Sequence, residues 1–361
     1  MDLSRENLAY YLVRRRLITT EAVVDGDLTI IEDHRRNKNF RIRSRRGGLF
    51  VKQLRLHDPK LVAELTREAT CYWTVANEPS LAGLRPLVPG YRDYDVANHV
   101  LVTEYYDDHT SLQIHRHQAK SYPPGSCATI GAILAKVHDR RLPEVMERAM
   151  NASALSESSP WVLRIFRDGR LPFDVPSDGI RRYFDSLRSI PDLATHFERL
   201  LRGWEATTLI HGDVKWDNFI FSGGDGGAPS IKLIDWELAG LGDPAWDLAC
   251  ALSAFYTARF IEVASSPAPV DFAGLDVTPD RPELEALWSG YLRERGVDQE
   301  EQRPLMERAM AYYGARLLQT GFEYLWSSAS VPPVIDRLVQ QSLGILRQAE
   351  ALASPVERGE A

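Results

Sequence analysis

Cysteine is nearly absent: Cys71, Cys127 and Cys250 are the only three in 361 residues. An odd number at such wide spacing argues against a disulfide framework or a zinc site, and a reducing compartment is expected. Positive charge is not in excess. The net charge is −7, so no overall positive field draws the chain to nucleic acid or to an anionic membrane. An acidic body would instead attract a cationic substrate. No apolar run approaches the roughly 20 residues of a membrane span, and the opening Met1-Asp2-Leu3 lacks a basic-then-apolar signal pattern. A cytoplasmic location is expected, with neither nucleic acid nor membrane as a partner. No G-x-S-x-G elbow occurs, which leaves a serine hydrolase unsupported. No internal repeat is present. The glycine-rich stretch at 223–227 sits between two strand-like runs. No helix with a Lys-Ser/Thr opening follows it, so it reads as a hairpin turn and not as a phosphate loop.

What remains is ordinary globular chemistry: 44% apolar and 26% charged residues, in a chain long enough for two lobes with separate cores. Residues 4–16 read as a short helix ending in Arg14-Arg15-Arg16. Cations suit a helix C-terminus, so the run reads as a solvated cap. Strand-like runs follow at 28–31, 39–43 and 48–53, close enough for an antiparallel meander. Asp58-Pro59 then opens a helix, with Asp as N-cap and Pro at the first helical position. Its apolar stripe is Leu61, Leu65, Ala69, Tyr72 and Ala76. Two more strands are expected around 87–94 and 98–105. The fold class is α+β and bilobal. Residues 1–106 form a first lobe, an antiparallel sheet with one main helix. Residues 107–361 form a second, mostly helical lobe. In that lobe a helix carries Ile130, Ile133, Leu134 and Val137 at helical spacing. Residues 150–178 read as loop, 179–204 as helical, 208–234 as a hairpin, 244–352 as mostly helical, and 353–361 as a frayed end.

The informative segment runs Leu209-Ile210-His211-Gly212-Asp213-Val214-Lys215-Trp216-Asp217-Asn218-Phe219-Ile220-Phe221, followed by Ile231-Lys232-Leu233-Ile234-Asp235-Trp236-Glu237. Apolar flanks bury the backbone and leave Asp213, Asn218 and Asp235 at strand ends. Phosphoryl transfer needs such a set: a carboxylate that orients the attacking hydroxyl, and oxygen ligands for magnesium, a hard octahedral ion.

HGDxxxxN followed by IDWE resembles the aminoglycoside phosphotransferase and choline kinase superfamily, kinase-like enzymes of small molecules. Gly242-Asp243-Pro244-Ala245-Trp246-Asp247-Leu248-Ala249 resembles that family's GDPxxDLA segment, and the helix ending Ala135-Lys136-Val137-His138 is similar to its helix before the acceptor region. The resemblance covers roughly residues 25–255. It implies a protein-kinase-like fold, with Asp213 as catalytic base, Asn218 and Asp235 as magnesium ligands, and Glu237 near the metal. Asp247 resembles a structural aspartate that holds the catalytic loop. Lys215, two residues after the base, stands where protein kinases carry a lysine, and a cation there neutralises charge on the transferred phosphoryl group.

In the first lobe Lys52 reads as the lysine of the third strand that touches the α- and β-phosphates. Strand alternation sets Leu49, Val51 and Gln53 on one face and Phe50 and Lys52 on the other. An inward lysine needs a partner, since a lone buried charge is costly. At 100° per residue Glu68 falls at the edge of the apolar stripe and Glu64 just outside it, which favours Glu68. By the resemblance, backbone groups at Glu104 and Tyr106 bond adenine, and Asn39 takes the family's Asn position. Between the first two strands the chain departs from type: Glu32-Asp33-His34-Arg35-Arg36-Asn37-Lys38-Asn39-Phe40 contains no glycine. Either its basic side chains approach the triphosphate in place of close backbone, or the loop is merely solvated.

The resulting expectation is an ATP- and Mg2+-dependent phosphotransferase acting on a small-molecule hydroxyl, in the manner of an aminoglycoside kinase. Residues 107–205 and the C-terminal helices would build the acceptor site, where Asp107, Asp108, Glu283, Glu285 and Glu323 supply acids. Two alternatives accompany it. One is a Ser/Thr kinase of precursor peptides in lanthipeptide-type biosynthesis, working beside a partner lyase. The other is a nucleotide-binding pseudokinase scaffold, which the intact Asp213, Asn218 and Asp235 set argues against.

Overall fold

The computed structural model describes residues 1–34, 36–55, 58–142, 144–145, 159–175, 177–222, 230–266, 272–296 and 298–353. They fall into two compact units. The first holds the described residues of 1–111, 144–155 and 218–239; the second holds those of 112–143, 156–217 and 240–361. The stretch 218–239 thus groups with the first unit, whereas the sequence reading runs the second lobe unbroken from 107.

The first unit begins with two short helices, α1 (Leu8–Arg14) and α2 (Thr20–Val24). Strands β1 (Thr29–His34), β2 (Lys38–Ser44) and β3 (Gly47–Gln53) follow, then helix α3 (Pro59–Asn77) and strands β4 (Tyr91–Asp95) and β5 (Val100–Tyr105). The five strands make one antiparallel sheet in the order β1-β2-β3-β5-β4. Strand alternation sorts its side chains. Phe40, Ile42, Val51, Val100 and Val102 form a buried cluster with Leu3, Leu8, Tyr11 and Leu12, so the N-terminal segment seals one face of the sheet. Lys52 is carried to the opposite face. There it stands directly across from Asn39 on one neighbour and Leu101 on the other. Arg15 is more than a solvated cap, since its guanidinium grips Asp93 through two bonds of 2.6 and 2.7 Å.

Helix α3 starts as its sequence dictates. The Asp58 side chain accepts the N–H groups of Lys60 and Leu61, and Pro59 occupies the first helical position. The expected strand at 87–94 begins later. Arg85–Leu87 is a 3-10 turn and the strand starts at Tyr91, because Pro86 and Pro89 lack the N–H groups a ladder needs. A second small sheet joins β6 (Thr110–Ser111) to two later strands.

The second unit contains α4 (Leu112–Ala119), α5 (Ser126–Val137), α6 (Trp161–Asp168), α7 (Asp178–Arg188), α8 (Leu193–Arg202) and β7 (Thr208–Ile210). The chain then supplies β8 (Phe219–Ser222) and β9 (Ser230–Leu233) to the first unit, in the order β6-β8-β9. It returns as β10 (Gly240–Gly242), α9 (Pro244–Ala264), α10 (Arg281–Arg295), α11 (Gln299–Tyr324) and α12 (Pro333–Ala353). The expected hairpin at 208–234 is therefore two pairings. β7 pairs with β10, and β8 pairs with β9, because the polar loop after β7 is too long for a hairpin turn. The glycines at 223–227 and the terminal residues 354–361 lie outside the described residues.

Within 150–178, expected as loop, α6 is a helix. Pro160 precedes it, the left-handed Gly169 caps it, and Val162, Leu163 and Ile165 are buried; residues 146–158 and 176 lie outside the described ones. Helices α5 and α10 pack backbone to backbone through glycine. A Cβ on Gly131 would lie 2.0 Å from the Leu287 carbonyl oxygen, and one on Gly290 would lie 2.1 Å from that of Ala128. The three cysteines are buried and unbridged. Among the described residues, no helix is long and apolar enough to cross a membrane.

Candidate active site

The first unit gathers charge around Lys52. Its Nζ lies 2.7 Å from Glu68 Oε2, 2.8 Å from Asp235 Oδ1 and 3.2 Å from Glu237 Oε2. Strand β3 brings the lysine and α3 brings Glu68. Asp235 and Glu237 come from the turn after β9, where Asp235 adopts left-handed backbone at φ 67°, ψ 61°. Aspartate tolerates that conformation better than most residues. The Tyr72 hydroxyl, from α3, accepts the Asp235 N–H at 3.2 Å. Burial opposes the charge on Lys52, yet Glu68, Asp235 and Glu237 hold its pKa well above the ordinary lysine value. Glu68 is fully enclosed. Burial pushes its carboxyl up, Lys52 pulls it down, and Asp235 and Glu237 push it up again, to about 7.

Glu64 is buried as well, although the stripe analysis puts it outside. It accepts from Arg36, whose other nitrogen lies 3.3 Å from Glu237 Oε1. The apolar-stripe argument fails here because the surface facing α3 is charged. Lys38 has a different partner, Asp2 at 2.6 Å and the Leu3 carbonyl at 3.0 Å, so it is committed to the N-terminal segment. Arg35 and the His34 side chain lie outside the described residues.

Asn39, opposite Lys52 on β2, has a buried Oδ1 without a hydrogen-bond partner. Asn218 is buried, and its carbonyl accepts the N–H of Ile234 at 2.9 Å, one residue before Asp235. Glu104 and Tyr106 form a separate group at the end of β5. The Glu104 N–H is donated to the Gly90 carbonyl at 2.8 Å, and the Tyr106 carbonyl accepts from His109 N–H at 3.3 Å. The Tyr106 hydroxyl donates to the Glu104 carboxylate, and its ring lies 4.6 Å from Lys232 Nζ.

The second unit holds Asp213 on the loop after β7. That loop is pinned from several sides. Asp247, fully buried at the start of α9, accepts the N–H of His211 at 2.6 Å and that of Gly212 at 2.9 Å, and bonds His138 Nε2 at 3.1 Å. Burial opposes its ionisation, but His138 and the His211 N–H hold its carboxyl below the ordinary aspartate range. The Trp246 indole donates to the Gly212 carbonyl at 3.1 Å. Gly212 has φ 83°, the left-handed backbone that glycine adopts without strain. Trp216, 1% exposed, donates to Tyr122 and packs edge-on against Phe255.

At Asp213 itself, Lys215 Nζ lies 2.5 Å from Oδ2. Arg316 Nη2, from α11, lies 3.8 Å from Oδ1 and 3.2 Å from Glu323 Oε1. Sequence reasoning names Glu323 only among acceptor-region acids and misses Arg316. The signal for it is a cation, Arg316, among the small and apolar residues of Ala311–Gly321. Of the candidate residues, the structure therefore brings Lys52, Glu68 and Asp235 together, sets Asn218 beside Ile234, and joins Asp213 to Lys215.

The oxygens of Glu68, Asp235 and Glu237 lie within 4.8 Å of one another, a hard donor set of the kind magnesium takes.

The sequence model of the phosphotransferase enzyme family matches residues 27–287. Acyl-CoA dehydrogenase family member 11 of Gallus gallus is 36% identical over 89 residues, 25% of this chain and 11% of that protein. Family member 10 of Mus musculus is 35% identical over 111 residues, 30% of this chain and 9% of its length. The chain thus matches about a tenth of the length of these curated relatives. Among solved structures, a choline kinase from Cryptosporidium parvum Iowa II superimposes with a TM-score of 0.60 at 11% identity, covering 96% of this chain and 97% of that one. An ethanolamine kinase from Plasmodium vivax does so with a TM-score of 0.56 at 15% identity, covering 99% and 91%. At such identities these two show the fold. With the family model matching well over half of its length, the chain belongs to the phosphotransferase enzyme family, and its fold is that of these two solved structures.

Proposed function

We propose that the chain transfers the γ-phosphate of ATP to a hydroxyl of a small molecule. The observation that carries this reading is the Lys52 cluster: one buried ammonium among three carboxylates. Such a group suits a lysine that meets the α- and β-phosphates, beside acids that bind a hard cation. Asn218 and Asp235 would hold magnesium, with Glu237 near it. When bound, that ion supplies positive charge against the phosphate oxygens. The unpartnered Oδ1 of Asn39, on the sheet face of Lys52, supports a role toward the nucleotide. Glu104 and Tyr106 would meet adenine through backbone, the Glu104 N–H being already donated to the Gly90 carbonyl. We assign the nucleotide to the first lobe, residues 1–106, and the acceptor to the second, 107–361.

Asp213 would orient the attacking hydroxyl and accept its proton, and Lys215 would offset charge on the phosphoryl group. The names of the structural relatives, choline and ethanolamine kinases, favour a small alcohol over a peptide serine, and nothing in those names supports a partner lyase. The Lys52 cluster also weighs against a scaffold without activity. The test is transfer of labelled γ-phosphate from Mg-ATP to a panel holding choline, ethanolamine, an aminoglycoside and a serine peptide. Label on a small alcohol supports the reading, and label on the peptide alone overturns it.

A further inference from the structure

The base Asp213 has a cation at each carboxylate oxygen: Lys215 Nζ 2.5 Å from Oδ2, and Arg316 Nη2 3.8 Å from Oδ1. The two cations differ in kind. Lys215 is 38% exposed along its side chain, whereas that of Arg316 is 4% exposed. Arg316 is fixed from its own helix, since Nη1 donates to Thr320 Oγ1 at 3.0 Å and Nη2 lies 3.2 Å from Glu323 Oε1. The spacings of four and seven residues set all three on one face of α11. Burial opposes the guanidinium charge, and Glu323 and Asp213 hold its pKa above the ordinary arginine value. A buried charge is retained in a fold only where partners compensate it. The planar fork of arginine also fixes direction in a way that a lysine tip does not.

We propose that Arg316 is a positioning residue for the catalytic base, holding the Asp213 carboxylate so that its reacting lone pair faces the acceptor hydroxyl. The inference rests on the proposed function, because it acts through Asp213. Phosphoryl transfer passes through a loose transition state that asks the base for orientation more than for strength. A cation at each oxygen fixes the direction of the carboxylate. Glu323 shares the same Nη2, and the Asp213 oxygen lies at ion-pair distance and not hydrogen-bond distance.

The test uses Mg-ATP alone, with water as acceptor, and compares Arg316→Gln and Arg316→Lys in the wild-type and Asp213→Asn backgrounds. Misplacing a reacting group by about 1 Å costs on the order of 10²-fold. Arg316→Gln should therefore lower kcat about 10–100-fold with the KM for ATP nearly unchanged, and Arg316→Lys should recover part of it. In the Asp213→Asn background the same change should cost no more than about twofold, since residues acting through one group are not additive. Equal losses in both backgrounds, or a KM that rises with the loss of kcat, would overturn the role of Arg316 while leaving the function standing. If a thermal melt finds Arg316→Gln unfolded, Arg316→Lys in the two backgrounds decides by the same comparison. A folded wild type that binds no Mg-ATP would overturn the proposed function, and this inference with it.

Discussion

Arg36, in the glycine-free loop between β1 and β2, lies 3.3 Å from Glu237 and bonds Glu64 at the same time. An arginine joined to the acids around Lys52 is a cation already close to where a triphosphate would meet that lysine. Attraction of this kind is screened by salt, with a Debye length of about 10 Å at 0.1 M. ATP affinity should fall with ionic strength, and Arg36→Gln alone should flatten that dependence. Lys38→Gln should leave the slope as it is, because Lys38 is held by Asp2 and the Leu3 carbonyl. Dissociation constants across a salt series check both. Parallel slopes for wild type and Arg36→Gln would mean that Arg36 only closes a loop.

On the proposed function Lys52 meets the bound nucleotide, so Lys52→Ala should raise the KM for ATP and lower turnover. Glu68→Ala alone leaves Lys52 with Asp235 and Glu237, so the lysine stays neutralised but loses its anchor on α3. Removing both residues should cost less than the sum of the single losses, by coupling on the order of 0.5–3 kcal/mol. Strict additivity in the kinetic double-mutant cycle would show that Glu68 does not act through Lys52.

Asp247→Asn tests the brace under the catalytic loop. Asparagine keeps the shape but loses the charge that meets His138 and the N–H groups of His211 and Gly212. Breaking a buried charged contact costs roughly 3–5 kcal/mol. The carboxyl is held below its ordinary value, so its contribution is present above the unfolded aspartate value of about 3.9 and fades as pH falls through the folded one. Denaturant unfolding should show a large deficit at pH 7 that shrinks in strong acid. A deficit independent of pH would assign the loss to packing.

The sequence makes the catalytic loop and the strands legible because the signals are contiguous: an apolar run, a polar loop, an apolar run, and Asp58-Pro59 at the start of α3. The Lys52 and Glu68 pair is readable from strand alternation and helix spacing together. Glu64 escapes that reasoning, since an apolar stripe marks a buried face only where the opposing surface is apolar. Arg316 escapes it for another reason. Its meaning depends on Asp213, a distant residue on another element, and a lone arginine in a helix usually points to water. Helix α6 is missed because serine, proline and glycine on both sides mask three buried apolar positions, although Pro160 and Gly169 stand where helix ends often carry such residues. That α1 seals the sheet follows from packing that its short, arginine-ended sequence does not announce.

The central claim is that Asp213 acts as the base of an ATP-dependent phosphotransfer. Asp213→Asn keeps the shape of the side chain and removes its ability to take a proton. The measurement is the rate of Mg-dependent γ-phosphate transfer by wild type and variant, with ATP affinity measured by calorimetry on the same preparations. The account predicts turnover lower by about 10²–10⁴-fold with nearly unchanged affinity for ATP. Turnover close to that of the wild type would contradict it.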